Sequence, residues 1–471
     1  MKDLVVIGGG VAGLVTASVA GQLGLDVALL ERESRLGGDC LHYGCVPSKT
    51  LLRSAAVAQL MRRGADFGLP AHEPAVDLAA VNDHLRSVID TLQAHDDPER
   101  FRGYGVDVRF GAARFVNSGE VRVKGEALRA RRFVIATGSR PQVPMIPGLA
   151  EAGYLTNETV FGLRELPPRL VVVGAGPVGL ELAQAFARLG SRVTVVEAAP
   201  EVLPREDARL AAELRGALAR EGVRFHLGAR LERVDREVDG VTLQLNEGED
   251  HRPVSADRIL VATGRVPAVE GLSLETAGVA HDRRGIAVDA RLRTDQHHIY
   301  ACGDVTGMHP YTHMAEYQAG IVIANAVFRM PKRADYRVVP RVTYTDPELA
   351  QVGLTPAEAL ERYPDARVLE YPFAELDRGI IDGETDGRIR LVVRRGQILG
   401  ASILGAHAGE LIHEIVVAMQ ARVRLGTISA AVHAYPTLAQ IHRRAANTLY
   451  GEQLFRPRTR WVVRWLQRLI P

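Results

Sequence analysis

Two thiols with four residues between them, Cys40 and Cys45, carry the most reactive chemistry in this sequence, within Gly37-Gly38-Asp39-Cys40-Leu41-His42-Tyr43-Gly44-Cys45-Val46-Pro47-Ser48-Lys49. Such a pair suits dithiol–disulfide exchange, a thiolate metal site or a structural bridge. A disulfide needs Cα atoms about 4.4–6.8 Å apart, whereas positions i and i+5 of a regular helix are farther apart and face different ways. If the two pair, the segment must bend, which Gly44 permits. Pro47 fits the first turn of a helix beginning just after Cys45, and a helix N-terminus favours thiolate there. A zinc site would need further ligands, and no second Cys or His pair stands at zinc spacing, so no metal is expected. Cys302, in Tyr300-Ala301-Cys302-Gly303-Asp304, reads as a small buried hydrophobe on a strand. Lys49 stands out because Lys2, Lys49, Lys124 and Lys332 are the only lysines among 58 cationic residues.

The elements that would position a redox pair are also visible. Leu4 to Ile7 reads as a buried parallel strand, followed by Gly8-Gly9-Gly10-Val11-Ala12-Gly13 and a helix of small residues. Gly8 would permit the tight turn, Gly10 the approach of a pyrophosphate, and Gly13 close packing of helix on strand. Eighteen residues past Gly13, a strand from Val27 ends in Glu31, placed to accept a ribose hydroxyl. The design recurs at Leu170 to Val173, with Gly174, Gly176 and Gly179, and again eighteen residues separate the last glycine from a strand-ending Glu197. One such loop is weak evidence, but two with the same spacing to a carboxylate point to two dinucleotides that exchange hydride, a flavin and a nicotinamide. Glu197 would accept the 2′-hydroxyl of NAD and repel the 2′-phosphate of NADP. Ala198, Ala199 and Pro200 supply no arginine, so NAD is expected.

Composition fits this reading. A chain of 471 residues is long enough for about three domains at roughly 100–200 residues each, and 46% apolar with 24% charged residues is a globular balance. The 58 cations nearly cancel 56 anions, leaving +2, so charge alone implies no nucleic-acid partner. Three cysteines are too few for a secreted disulfide framework. Leu4 to Leu25 is uncharged, but its six glycines and weak basic flank argue against a signal peptide or membrane span. A cytoplasmic location is expected.

At this point the sequence resembles the FAD-containing pyridine nucleotide-disulfide oxidoreductases, the family of dihydrolipoyl dehydrogenase, glutathione reductase and mercuric reductase. The resemblance spans about 1–455 and rests on the cysteine segment, both glycine loops, Ala-Thr-Gly at 136–138 and 262–264, Ala-Cys-Gly-Asp at 301–304, Thr345-Asp346-Pro347-Glu348 and His433-Ala434-Tyr435-Pro436-Thr437. It implies an α/β fold with two Rossmann-like dinucleotide-binding domains and an α+β C-terminal dimerisation domain. The flavin domain would be discontinuous, 1–150 and 270–335, around a nicotinamide domain at 151–269, with the interface domain at 336–455. It also implies a Cys40–Cys45 redox disulfide, Cys45 facing the flavin and Cys40 attacking substrate, with Lys49 near the flavin and paired to Glu181. Gly38, Thr137, Gly138 and Asp304 would join Gly8, Gly10, Gly13 and Glu31 around FAD, and Gly264 would join the second loop around NAD. The implied assembly is a homodimer in which His433 to Gln440 of one subunit completes the other's active site. The implied reaction is that of dihydrolipoyl dehydrogenase, dihydrolipoamide plus NAD giving lipoamide plus NADH, with a small dithiol or a lipoyl-carrying protein as substrate.

The sequence departs from the family at its acid–base pair. Tyr435 stands where the family has histidine before Pro, and Gln440 where it has the supporting glutamate. A phenol is a poor base at neutral pH, although it can hydrogen-bond a thiolate. His433, two residues earlier, shares a face with Tyr435 if the segment is extended. These changes keep two alternatives open: NAD(P)H-linked reduction of a small oxidant, as by a hypothiocyanous acid reductase, and a flavin redox sensor with weak turnover. No cysteine follows Cys302, which disfavours mercury as substrate. The basic tail at 456–471 lies beyond the resemblance and puts Trp461, Trp465 and Leu469 on one helical stripe and Arg460, Arg464 and Arg468 on another. It suits a helix packed on its own dimer, an anionic membrane or an acidic partner.

Overall fold

Strand Leu4–Ile7 is buried along its whole length and forms the centre of a parallel sheet, as a strand covered on both faces must. In the computed structural model, which describes residues 1–248 and 250–469, the sheet runs Ile299–Ala301, Phe133–Ile135, Leu4–Ile7, Val27–Glu31, Val106–Phe110. Alternate residues face opposite layers. Leu4, Val6, Val27 and Leu29 pack with Ala17 and Ala20 of helix Val11–Gln22 and with Ala319 and Val322 of helix Thr312–Ala326. Val5, Ile7, Ala28 and Leu30 pack against Phe115, Val121 and Leu128 of a three-stranded antiparallel sheet. Strand order reverses beside Leu4–Ile7, and such a switch point places a ligand crevice beyond the carboxyl ends of the strands, where the first glycine loop begins.

These elements belong to one of two compact units, made of 1–54, 76–167 and 258–335. Helix Leu78–Gln93, capped by Asp77, also lies in this unit. The unit's edges fall at 167/168 and 257/258, whereas the sequence places the flavin-domain edges at 150/151 and 269/270. The reason is local bonding: Leu155 N–H donates to Ile259 O at 2.7 Å, Val261 N–H donates to Leu155 O at 2.8 Å, and Arg164 pairs with Asp83 of helix Leu78–Gln93.

The second unit comprises 55–75, 168–257 and 336–471, described as far as Leu469. Its parallel strands Arg169–Val173, Arg192–Glu197 and Arg224–Leu227 repeat the first architecture, with helix Pro177–Leu189 following the second glycine loop. Its antiparallel sheet runs Arg341–Thr343, Glu348–Gly353, Gln397–Gly405, Arg388–Arg394, Arg367–Pro372. Helices Ala408–Gln420 and Gln440–Leu454 bury Ile412, Ile415, Ile441 and Ala445 in one core with that sheet. The fold is thus α/β with two dinucleotide-binding sheets and an α+β C-terminal part. Helix Pro457–Leu469 follows; residues 470 and 471 of the tail lie outside the described residues. Among the described residues no helix is long and apolar enough to cross a membrane.

Candidate active site

The first glycine loop leaves its strand at Gly8, whose φ of 111° only glycine adopts freely. A Cβ on Gly8 would strike the carbonyl oxygen of Ala136, and one on Gly13 would strike that of Gly8. Beside Gly10 there is room: a Cβ there would have Gly38 Cα, 3.8 Å away, as its nearest neighbour. The second loop repeats the pattern, with Gly174 at φ 108°, no atom within 4 Å of a Cβ on Gly176, and Gly179 buried in its helix. The two carboxylates are held alike. Glu31 accepts hydrogen bonds from Gly9 N–H at 2.5 Å and Glu33 N–H at 2.8 Å; Glu197 accepts from Ala175 N–H and Ala199 N–H, both at 2.8 Å. Each ties a glycine loop to the turn after its strand and keeps lone pairs for a further donor.

Cys40 lies in the short helix Gly38–His42, and Cys45 is the first residue of helix Cys45–Arg62. The bend is at Gly44, where a Cβ would stand 3.0 Å from Asp39 O. The structure holds the cysteines as free thiols in hydrogen-bonding reach of one another. Thr312 Oγ1 stands 3.3 Å from Cys45 Sγ and also bonds Cys40, and Thr312 opens helix Thr312–Ala326. Two helix N-termini therefore meet at the sulfurs, an arrangement that favours negative charge. The hydrogen bond to Cys45 and then burial push the Cys40 thiol well above the ordinary thiol range, while Thr312 acts weakly the other way. The two thiols therefore titrate as a coupled pair. Half-buried Lys49 is one turn beyond Cys45 on the same helix face. Cys302 falls just past strand Ile299–Ala301; its complete burial pushes the thiol up to about 12.

A polar chain runs from the cysteine segment to Asp304. Asp39 accepts from Asn157 Nδ2 at 3.2 Å and lies 3.2 Å from the Arg265 guanidinium. Arg265 donates to Ser139 Oγ at 2.7 Å, and Ser139 donates to Asp304 Oδ2 at 2.6 Å. Burial pushes the Asp304 carboxyl up, against the pull of Ser139 and Arg265. A cleft of about 990 Å³ opens beside Ser139, Arg265 and Asp304. Nearby, Thr137 donates to Ala268 O at 2.7 Å, Gly138 turns at φ 71°, and Gly264, at φ 127°, accepts from Gln142 N–H at 2.9 Å.

In the second unit, buried Glu181 accepts from Tyr344 N–H at 2.9 Å. Tyr435 is 68% exposed, and Gln440 begins helix Gln440–Leu454. His433 does not share that exposure. Its Nε2 contacts the Glu414 carboxylate at 3.1 Å and its Nδ1 approaches Ala431 O at 3.3 Å. Glu414 also lies 2.8 Å from Nδ1 of fully buried His442, whose ring nitrogens are out of hydrogen-bond alignment. One ring nitrogen from each histidine and a Glu414 carboxylate oxygen lie within 4.8 Å of one another. Burial alone would raise the Glu414 carboxyl, but the imidazoles of His442 and His433 outweigh it and hold it below the usual carboxylate range.

Residues 2–321 match the family model described as pyridine nucleotide-disulphide oxidoreductase, and residues 339–446 match the dimerisation domain of the same family. The chain belongs to the pyridine nucleotide-disulphide oxidoreductases. Among its relatives, a dihydrolipoyl dehydrogenase of Chlamydia muridarum is 35% identical, covering 97% of this chain and 99% of the relative. A mercuric reductase of Staphylococcus aureus is 33% identical over 95% of this chain and 82% of its own. The solved Cu(II) complex of HOCl-induced flavoprotein disulfide reductase RclA from Escherichia coli superposes with a TM-score of 0.85 at 30% identity, covering 94% of this chain and 99% of that one.

As a pyridine nucleotide-disulphide oxidoreductase the protein is an enzyme that uses FAD and a nicotinamide nucleotide, and its dimerisation domain supports a homodimer. The residues present fit both cofactors: each glycine loop has open space beside its second glycine at a helix N-terminus, with a carboxylate held nearby. Sequence reading missed Thr312, Arg265, Ser139, Asn157 and Glu414. Only Arg265 carried a local signal, directly after Gly264; the others are ordinary residues far along the chain from their partners.

Proposed function

We propose that this oxidoreductase is an NADH-linked reductase of a small sulfur oxidant of the hypothiocyanous acid class, working through Cys40 and Cys45. The observation that carries the reading is the sulfur pair at two helix N-termini, combined with the absence of the family's histidine–glutamate pair at Tyr435 and Gln440. Cys40 is the attacking sulfur, and its proton passes to Cys45, its hydrogen-bond partner. Attack on the oxidant's sulfur releases water and leaves a mixed thiocyanate on Cys40; Cys45 then displaces thiocyanate and closes the disulfide. In sum, two thiols and HOSCN give a disulfide, SCN⁻, H₂O and H⁺. A flavin held beside the pair would supply hydride acceptance and two-electron transfer, the chemistry by which NADH and a proton would return the disulfide to the dithiol. The departing hydroxide takes the proton that Cys45 holds and leaves as water, and thiocyanate leaves without protonation, so the exchange can run without a dedicated imidazole.

The remaining residues take these roles in the proposal. Gly8, Gly10, Gly13, Glu31, Gly38, Thr137, Gly138 and Asp304 hold FAD; Lys49 holds positive charge by the flavin. Gly174, Gly176, Gly179, Glu197 and Gly264 hold the nicotinamide nucleotide. The held carboxylate of Glu197 favours NADH over NADPH. Tyr435 supplies a hydrogen bond to the sulfur of the other subunit in the homodimer, while His433, turned onto Glu414, acts in position rather than as a base.

Dihydrolipoyl dehydrogenase activity is the second reading, favoured by relatives of that name at 35–36% identity. One comparison separates them: NADH consumption with hypothiocyanite against NADH formation with dihydrolipoamide and NAD. Oxidant turnover at least tenfold above dihydrolipoamide turnover, lost in Cys45→Ser, is expected. The reverse ratio would transfer the assignment to the dehydrogenase, and a single flavin reduction with no turnover would make the protein a sensor.

A further inference from the structure

Helix Pro457–Leu469 has no buried residue. Trp461, Trp465 and Leu469 lie along one line with Val462 and Leu466 on one side of it, and Arg460, Arg464 and Arg468 form the flanking stripe on its other side. Trp461 is 66% exposed and Trp465 51%, and the apolar surface continues into exposed Leu454 and Phe455. From Leu454 to Leu469 the sequence has five arginines, with Arg456 and Arg458 completing the set, and no acidic residue. Most arginines elsewhere are paired with carboxylates, for example Arg188 with Glu221 and Arg390 with Asp207, but among the described residues none of these five forms an ion pair.

In water this surface leaves two indoles and several aliphatic side chains unburied. At a bilayer surface both faces are satisfied together: tryptophan sits at headgroup level, aliphatic groups enter the acyl boundary, and arginines meet lipid phosphates. Thirteen residues make a helix of about 20 Å, short of the roughly 30 Å hydrocarbon core, so it would lie in the interface plane. A second copy is a poorer cover, because it would bring five unpaired cations against five of the same sign. We propose that helix Pro457–Leu469 docks this flavoenzyme on an anionic lipid surface.

The test uses the full flavin-loaded protein and vesicles of phosphatidylcholine with or without 30% phosphatidylglycerol, about a third anionic lipid as a headgroup probe. Co-sedimentation of flavin absorbance is expected with anionic vesicles, at least tenfold tighter than with neutral ones and weakened by salt. Both tryptophans of the chain are in this helix, so a blue shift of tryptophan emission reports insertion directly. Replacing Arg460, Arg464 and Arg468 together by Gln should weaken binding about a hundredfold, at roughly fivefold per cation. Trp461→Ser with Trp465→Ser should abolish it, with flavin content and NADH oxidation retained. Equal or absent binding to the two vesicle types overturns the proposal. So does binding to polyglutamate without binding to anionic vesicles, or a lowered sedimentation coefficient in the tail variants, which would assign the face to an acidic protein or a second copy.

Discussion

Cys40 and Cys45 compete unequally for the proton between them. Because Cys45 is exposed while Cys40 is half-buried and its thiol is raised, iodoacetamide at pH 7 should label Cys45 first, by about tenfold, as mapped by mass spectrometry. Removing the main cause of that rise in Cys45→Ser lets the Cys40 pKa fall, so Cys40 should then alkylate faster at any given pH than it does in the native pair; a slower rate would reverse the order proposed for the sulfurs. Thr312→Val tests the second helix N-terminus. Loss of a hydrogen bond to a thiolate is worth about 1.5 kcal/mol, so Cys45 labelling at pH 7 should slow roughly tenfold.

At the scale of elements, the two glycine loops make separable predictions. Gly13→Ala drives a methyl group into Gly8 O and should yield protein without flavin, read by the absorbance ratio of the purified protein. Gly176→Ala meets no protein atom within 4 Å, so it should fold and keep flavin while raising KM for NADH about tenfold, by obstructing the approach of phosphate to the backbone. These loops were legible in the sequence because strand, glycines and carboxylate recur at fixed spacing within about thirty residues. Gly44 marked where the cysteine segment could bend and Pro47 marked a helix just after Cys45, one residue from where it begins. Thr312 was not, since a threonine opening a helix carries no signal until folding brings it to a sulfur 267 positions away. The engagement of His433 by Glu414 was equally hidden: alternation along an extended segment pairs His433 with Tyr435, but the carboxylate turns the imidazole inward.

For the whole molecule, the C-terminal part offers a test of stability and a test of substrate range. Glu414 is depressed below the ordinary 4.5 in the fold, so its contribution is complete above that value and is lost as pH falls through the folded value. Glu414→Gln should therefore lower stability at pH 7 by about 1 kcal/mol given its partial exposure, seen as an earlier urea midpoint, with the difference from wild type closing toward pH 4. Tyr435→His combined with Gln440→Glu restores the family pair and should raise dihydrolipoamide oxidation about a hundredfold in steady-state assays; no gain would mean that the proton route is set elsewhere. The burial of Cys302 has an analytical consequence for the intact protein. Of three thiols, one is sealed off whatever the redox state, so titration of native protein with a thiol reagent counts only the exchangeable pair, two when reduced and none when bridged. Adding denaturant then releases one further equivalent in either state, an internal concentration standard against which the oxidation level of any preparation can be calibrated without reference to its colour.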